Sequence, residues 1–269
     1  MPRDLPPAER VFGFNPYLLA HLWRGQALAW VGRIPEGLDQ FSRSMRLAEE
    51  DQTPEIGVYV AYYVAEASYL AHDRDRALAH ARQLEALTRR LGDPPAWVAL
   101  QGTSYAWAHL AAGRPADAIE PARESLALYQ RVERQIAGLP ATLLAEALLE
   151  AGDPSAAHSA AEEAIEVCQR TLRATYETIA QGVLARALLR RDGVKAGDAA
   201  EAALANAAAL IERSGAATLA PALCEWRAEL AAVLGDEATS VQLLQQAQQG
   251  YEAIGAPGHA ERLRKELGS

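Results

Sequence analysis

The sequence predicts an all-α fold built from about six stacked helical hairpins and a C-terminal cap helix. The run Gly25 to Glu50, GQALAWVGRIPEGLDQFSRSMRLAEE, has the pattern of a helix end, a tight turn and a second helix, and it returns in altered form along the 269 residues. Half of the residues are hydrophobic but only 6% are aromatic. A recurring hairpin and a core of small aliphatic residues are typical of helical repeat arrays.

The repeat period is about forty residues. With Gly32 as the first turn position, the matching positions are Gly32, His72, Gly113, Gly152, a weaker Gly197, and Gly235. Small residues stand five places after the turn, at Gly37, Ala77, Ala118, Ala157, Ala202 and Ser240. Small residues also stand seven places before it, at Gly25, Ala65, Ala106, Ala145 and Ala228, with Arg190 as the exception. Such pairs allow the two helices of a hairpin to approach closely.

Three fragments carry a family resemblance: AWVGRIPEGLDQFSRSM, AHLAAGRPADAIEPARESLAL and ALLEAGDPSAAHSAAEEAIEV. They resemble the tetratricopeptide repeat (TPR), although the period exceeds the roughly 34 residues of that module and HEAT-type repeats are the rival. The longer units look like the C-terminal regions of class III adenylate/guanylate cyclases with a fused ATPase, and of regulators similar to the maltose-operon activator. The resemblance implies a right-handed α-α superhelix, a TPR-like solenoid.

The hairpin boundaries follow from capping and stop signals. Asn15-Pro16 and Asp153-Pro154 are good helix starts, and Gly92 followed by prolines is a strong stop. We expect a lead-in over residues 1–10 and one domain over 11–269. The predicted hairpins cover residues 15–51, 54–92, 94–133, 136–171, 172–214 and 216–255, with a cap helix over 257–267.

Composition limits the kinds of partner. The formal net charge of −9 disfavours a general nucleic-acid binder, which needs a basic face. No apolar run is long enough for a membrane span, and the N-terminus lacks a secretion signal, so we expect a cytoplasmic protein that does not contact membranes. Cys168 and Cys224 are expected to be buried, reduced thiols.

No catalytic pattern stands out in the sequence. It contains no nucleotide-binding P-loop, no H-E-x-x-H, no C-x-x-C and no G-x-S-x-G, and its six histidines lack metal-ligand spacing. We therefore expect a protein that is not an enzyme and that has no cofactor and no metal site. If the cyclase resemblance holds, the catalytic aspartates and the ATPase loop belong to regions outside this chain.

The concave face is the predicted binding surface, because the first helices of stacked hairpins line it. It would be aromatic at one end and acidic further along, which suits a protein or peptide ligand with apolar and basic side chains. The candidate ligand-binding residues are Trp30, Tyr59, Tyr62, Glu66, Tyr69, Thr103, Trp107, Glu146, Glu225 and Glu229.

Three alternatives stay open. The aromatic residues could fill the core between helices, with Tyr needing a partner for its hydroxyl. The domain could instead sense a small-molecule effector in a closed pocket around Trp30, Tyr69 and Trp107. Finally, the first helix exposes an apolar side unless an earlier repeat covers it, which predicts either a longer parent protein or a homodimer through the N-terminal repeat.

Overall fold

The computed structural model describes residues 14–268, which fold into thirteen α-helices. Three short 3-10 turns, Arg134–Ile136, Gly193–Ala196 and Ala217–Leu219, precede α7, α10 and α11. The predicted lead-in over residues 1–10 lies outside the described residues. The helices are α1 Pro16–Trp30, α2 Ile34–Glu50, α3 Pro54–Leu70, α4 Arg74–Arg90, α5 Pro95–Ala111, α6 Pro115–Val132, α7 Gly138–Glu150, α8 Pro154–Thr171, α9 Ala174–Asp192, α10 Gly197–Ser214, α11 Ala220–Val233, α12 Glu237–Ile254 and α13 Pro257–Leu267.

Helices α1 to α12 pack as six consecutive antiparallel pairs, and α13 packs against α12. The predicted all-α class, a TPR-like helical solenoid, is therefore confirmed. The helix starts agree with the chemistry of the caps. The Asn15 side chain accepts a hydrogen bond from the Tyr17 amide at 3.1 Å, and the Asp153 side chain accepts one from the Ala156 amide at 2.9 Å. In both cases the first residue of the helix is a proline.

A residue with positive φ marks the turn inside each hairpin. Five of the predicted turn positions have this conformation, including the non-glycine His72 at φ 54°. The fifth turn was predicted at the wrong residue, because Gly197 is the first residue of α10 and Gly193 has the positive φ of 60°. The six turn residues are therefore spaced at 39 to 42 residues, which is more regular than the sequence pattern indicates.

The small residues allow close helix contact, as predicted, in the regular hairpins. A Cβ on Gly37 would lie 2.7 Å from the Gly25 carbonyl oxygen, so α1 and α2 touch through their backbones. In the fifth hairpin the predicted equivalence is wrong. Ala202 is exposed, and Ala185 and Ala200 are the buried small residues between α9 and α10, because the 3-10 turn shifts the register.

The solenoid winds far enough for its last helices to contact its first hairpins. A Cβ on Gly258 in α13 would lie 2.3 Å from the His72 carbonyl oxygen, and a Cβ on Gly255 would lie 2.5 Å from the Pro35 ring. A Cβ on Gly32 would lie 2.9 Å from the Ile254 side chain. Part of the first hairpin, which was expected to need an earlier repeat, is thus covered by the C-terminal hairpin of the same chain.

Candidate functional site

The first half of the inner face, formed by α1, α3 and α5, is packed core and not an open groove. Trp30, Tyr62 and Trp107 are only 9%, 4% and 1% exposed, and Glu66 and Thr103 are also buried. The expectation that these five residues line an exposed surface is therefore corrected. Trp30 and Glu66 are buried because the winding of the solenoid brings Tyr176 of α9 against them. Tyr62, Trp107 and Thr103 pack within the second and third hairpins.

The aromatic residues belong to one hydrophobic cluster. Trp107 contacts Tyr62 and Tyr69, with ring centroids 5.0 and 6.4 Å apart. Trp30 makes an edge contact with Tyr176 of α9 at 5.6 Å. Aromatic pairs at these separations add to the free energy of burial, so this set stabilises the inside of the superhelix. Tyr59 is half-buried and packs against the same core.

Glu66 lies inside this core. Its carboxylate accepts a hydrogen bond from the Tyr176 hydroxyl. Burial raises the pKa of Glu66 to about 7, and the hydrogen bonds from Tyr176, Gln26 and Trp30 limit the rise because they favour the charged form. The Glu66 carboxyl therefore joins α1, α3 and α9 but has no access to a ligand.

The second half of the inner face encloses a cavity of about 740 Å³. Four of the predicted residues line it, and so do three arginines that are not among the predicted residues. We call this space the arginine–glutamate cavity. Its defining side chains are Tyr69 of α3, Glu146 of α7, Arg186 and Arg190 of α9, Glu225 and Glu229 of α11, and Arg262 of α13.

Ion pairs between neighbouring helices form its wall. Arg186 contacts Glu150 of α7 at 2.8 Å and Glu229 of α11 at 2.7 Å, and Arg190 contacts Glu229 at 2.9 Å. Burial alone would raise the pKa of Glu229, but the charges of Arg186 and Arg190 and their hydrogen bonds hold this pKa below its usual value. Two arginines one helical turn apart on α9 thus connect the carboxylates of the helices on either side.

Glu146 differs from the other carboxylates of the wall. Its Oε2 atom accepts a hydrogen bond of 2.6 Å from the Tyr69 hydroxyl, across the axis of the superhelix. Burial raises the pKa of Glu146 to about 7, Tyr69 and Arg186 act in the opposite direction, and the charge of Glu150 adds to the rise. The Glu146 carboxyl is therefore the cavity group whose charge changes near neutral pH.

The last helix closes one side of the cavity. Glu225 accepts hydrogen bonds of 2.6 Å from both the Tyr251 hydroxyl and the Arg262 guanidinium. The His259 ring stacks on Tyr251 and lies 4.7 Å from the His72 ring. Burial lowers the pKa of His259 well below its usual value, and the neighbouring His72 and Arg262 lower it further. Both histidines also line the cavity, as neutral rings at neutral pH.

A regular spacing could have revealed the arginines. Glu146 and Glu150 are four residues apart, and so are Arg186 and Arg190, and Glu225 and Glu229. Side chains at this spacing share one helix face, so three consecutive inner helices present the order acidic, basic, acidic. The signal was hidden because Arg190-Arg191 has the pattern of charge at a helix C-terminus, and because the fifth turn was placed four residues late.

The described residues show no arrangement that would hold a metal. Between residues 14 and 268 no group of three or more His, Cys, Asp or Glu side chains is arranged as a metal site. In the same range no helix has both the length and the apolar character to cross a bilayer. Cys168 is buried and Cys224 half-buried, and both thiols are free.

Two solved structures share this architecture. A Rap protein in complex with competence and sporulation factor superposes with a TM-score of 0.65 over 94% of this chain and 76% of that one, at 12% identity. A Podosopora anserina protein of kinesin-light-chain type with nearly identical TPR-like repeats gives a TM-score of 0.50 at 16% identity, over 78% of this chain and 99% of that one. At these identities the likeness shows the fold, a TPR-like solenoid. No protein-family model and no curated protein matches the sequence.

Proposed function

We propose that this chain is a non-catalytic domain that binds a peptide segment of another protein in the arginine–glutamate cavity. The observation that carries the proposal is the cavity itself, which Tyr69, Glu146, Glu225 and Glu229 all line. Its volume of about 740 Å³ lies in the range of ligand pockets, roughly 300–1,000 Å³. It has room for a few peptide residues.

The fold and its neighbours support a binding role. Solenoids present an extended inner surface that recognises partners. Here the first half of that surface is filled by core side chains, so the binding site is expected in the second half. The Rap protein with a similar fold holds competence and sporulation factor. The side chains of the inner wall are held by ion pairs and hydrogen bonds to one another, which supports a binding role.

A peptide-display selection tests the proposal. A random heptapeptide library is panned against the wild-type chain and against Ala222→Trp, because Ala222 lines the cavity and an indole there would fill it. Ala202→Trp places the same side chain on an exposed face of α10 and is the matched control. Circular dichroism melting curves verify that both variants are folded.

We expect the wild type and Ala202→Trp to enrich a common peptide set and Ala222→Trp to lose it at least tenfold. Either no enrichment by the wild type, or equal enrichment by folded Ala222→Trp, would refute the proposed site.

A small-molecule effector is the second candidate, because the cavity has the size of a metabolite pocket and is closed by α13 on one side. The pocket differs from the predicted one, since Trp30 and Trp107 are buried and only Tyr69 lines it. A thermal-shift screen of metabolites on the wild type and Ala222→Trp separates the two candidates. A metabolite that raises the melting temperature of the wild type alone would favour the effector role.

The wider setting is part of the proposal. We place the chain in a cytoplasmic bacterial signalling protein, as the docking or sensing region of a cyclase-type or maltose-activator-type parent, on the resemblance of its repeats. Self-association through the first hairpin is a further hypothesis, supported by Trp23, which is 51% exposed on α1. Sedimentation of the wild type and Trp23→Ala tests it, since a monomer at high concentration would remove it.

A further inference from the structure

We infer that the ligand of the arginine–glutamate cavity is a peptide with a positively charged group, an ammonium or a guanidinium, which pairs with the Glu146 carboxylate. This inference rests on the proposed function and adds the chemical class of the ligand. It follows from how the hydrogen-bonding capacity of the wall is used, and from the balance of charge around the cavity.

Glu146 has unused capacity to accept hydrogen bonds. Its Oε2 atom is engaged by Tyr69, but within the described part of the chain no hydrogen bond or ion pair reaches its Oε1 atom. One helical turn away, Glu150 uses only Oε1, which both arginines of α9 contact at 2.8 and 3.7 Å. A carboxylate offers about four acceptor positions, so α7 presents free acceptors to the cavity.

Glu225 and Glu229 have both oxygens engaged, and Glu266 of α13 is paired with Arg262 at 3.6 Å. Glu229 accepts from Arg186 at Oε2 and from Arg190 at Oε1. Glu225 accepts from Tyr251 at Oε1 and from Arg262 at Oε2. These groups shape the wall, and they are not free to bind a ligand unless an internal ion pair breaks. The ligand contact is therefore assigned to α7.

The charge balance favours a cation over an anion. Five carboxylates and three guanidinium groups line the cavity, and its two histidines have lowered pKa values, so they add no charge at neutral pH. The arginines of α9 already hold Glu150 and Glu229, and Arg190 also donates to the Leu149 carbonyl. An anionic ligand would have to displace these partners, while a cationic one would complete the pairing.

Protonation supports the assignment. Besides Glu146, the charged and titratable groups that line the cavity are Tyr69, His72, Glu150, Arg186, Arg190, Glu225, Glu229, Tyr251, His259, Arg262 and Glu266. Burial raises the pKa of Glu146 to about 7, so the empty cavity keeps part of its Glu146 population neutral at physiological pH. A cation stabilises only the ionised carboxylate. Its binding should therefore strengthen as pH rises through about 7, by up to about tenfold per pH unit below that value.

The test uses the same heptapeptide selection with Glu146→Gln, which keeps the shape of the side chain and removes its charge. Glu163→Gln removes one charge from an exposed position of α8 and is the matched control. We expect Lys, Arg or a free N-terminus to be enriched at one position by the wild type and by Glu163→Gln, and this preference to disappear with Glu146→Gln.

The best peptide is then synthesised in neutralised versions to find the source of the charge. Acetylation of the N-terminus, Lys→norleucine and Arg→citrulline each remove one cation. The version without the contacting cation should bind the wild type at least tenfold more weakly, and Glu146→Gln should bind all versions equally. Binding of the charged peptide should weaken from pH 8 to pH 6 in the wild type only.

The outcomes separate this inference from the proposed function. Peptides enriched without a cation preference, or bound equally by Glu146→Gln, would refute the cation contact and leave peptide binding intact. No enrichment at all would refute both. A thermal shift with spermidine but with no selected peptide would assign the cation to a small molecule and refute the peptide class.

Discussion

Glu66 and Glu146 occupy the same place in their repeats, six residues before the turn residue, yet they have different surroundings. Each accepts a hydrogen bond from the hydroxyl of a tyrosine on a distant hairpin, Tyr176 and Tyr69 respectively, and burial raises each pKa to about 7. Glu66 is 2% exposed inside an aromatic core, whereas Glu146 lines the arginine–glutamate cavity.

The difference shows what a repeat position determines and what it does not. The position sets the direction of the side chain, toward the axis of the superhelix. What the side chain meets there depends on the helices that the winding brings across the axis. In the first half large rings fill this space, and in the second half ion pairs join neighbouring helices in the wall of a cavity.

The largest expected effect is on the aromatic core. Trp107 is 1% exposed and contacts Tyr62 and Tyr69, so Trp107→Ala should lower the free energy of unfolding by about 3–5 kcal/mol. Trp23→Ala, at a residue that is 51% exposed, is the control and should change it by less than about 0.5 kcal/mol. Urea unfolding followed by circular dichroism measures both. Similar losses of unfolding free energy in Trp107→Ala and Trp23→Ala would mean that the inner aromatic rings are not part of the core.

The second prediction concerns pH. The pKa of Glu66 is raised in the folded state, so its favourable contribution is fully present below pH about 4.5 and is lost as pH rises through about 7. Wild-type stability should therefore fall between pH 5 and pH 8, by about 1–3 kcal/mol from this group. The Glu66→Gln variant cannot ionise at this position, so its stability should fall less between pH 5 and pH 8.

Urea unfolding at pH 5, 6, 7 and 8 measures this dependence. Glu146→Gln, at the same repeat position, is the comparison variant and should remove a similar part, because burial raises the pKa of Glu146 to about 7 as well. If Glu146→Gln left the fall in stability unchanged, the raised pKa of Glu146 would be contradicted.

The third prediction tests the closure of the cavity. A Cβ on Gly258 would lie 2.3 Å from the backbone oxygen of His72, so Gly258→Ala should displace α13 and cost about 1–3 kcal/mol. Gly197→Ala is the control, because its Cβ would meet only the flexible Leu234 side chain at 3.2 Å. Hydrogen exchange should rise in α13 and α12 of Gly258→Ala alone. Unchanged protection of α13 would show that this contact does not hold it.

The sequence predicted the hairpins well because their determinants are local. Small residues on facing helices, Asn15 and Asp153 as caps, and residues able to adopt positive φ all act within one repeat. The fifth turn was misplaced since Gly193 and Gly197 stand in the same short segment, and only the backbone conformation distinguishes them.

The site was only partly predictable, because it depends on contacts between distant repeats. The partners of Glu66 and Glu146 lie 110 and 77 residues away in sequence, and nothing in one repeat specifies that distance. The degree of winding is set by small rotations between hairpins, which add up along the array. Four of the ten proposed groove residues line the cavity, and the arginines that pair with the glutamates were found only in the folded chain.

The smallest expected effect belongs to one of two matched hydroxyl deletions, Tyr69→Phe. Its partner variant, Tyr176→Phe, removes a donor from Glu66, which is only 2% exposed, so we expect a loss of about 1–3 kcal/mol in the free energy of unfolding at pH 7. Tyr69→Phe removes the donor of Glu146, and solvent in the cavity can take its place, so the loss should stay below about 1 kcal/mol. The two rings remain packed in both variants, which confines the change to the hydrogen bonds. A larger loss for Tyr69→Phe than for Tyr176→Phe would mean that the Glu146 side of the axis is the drier one.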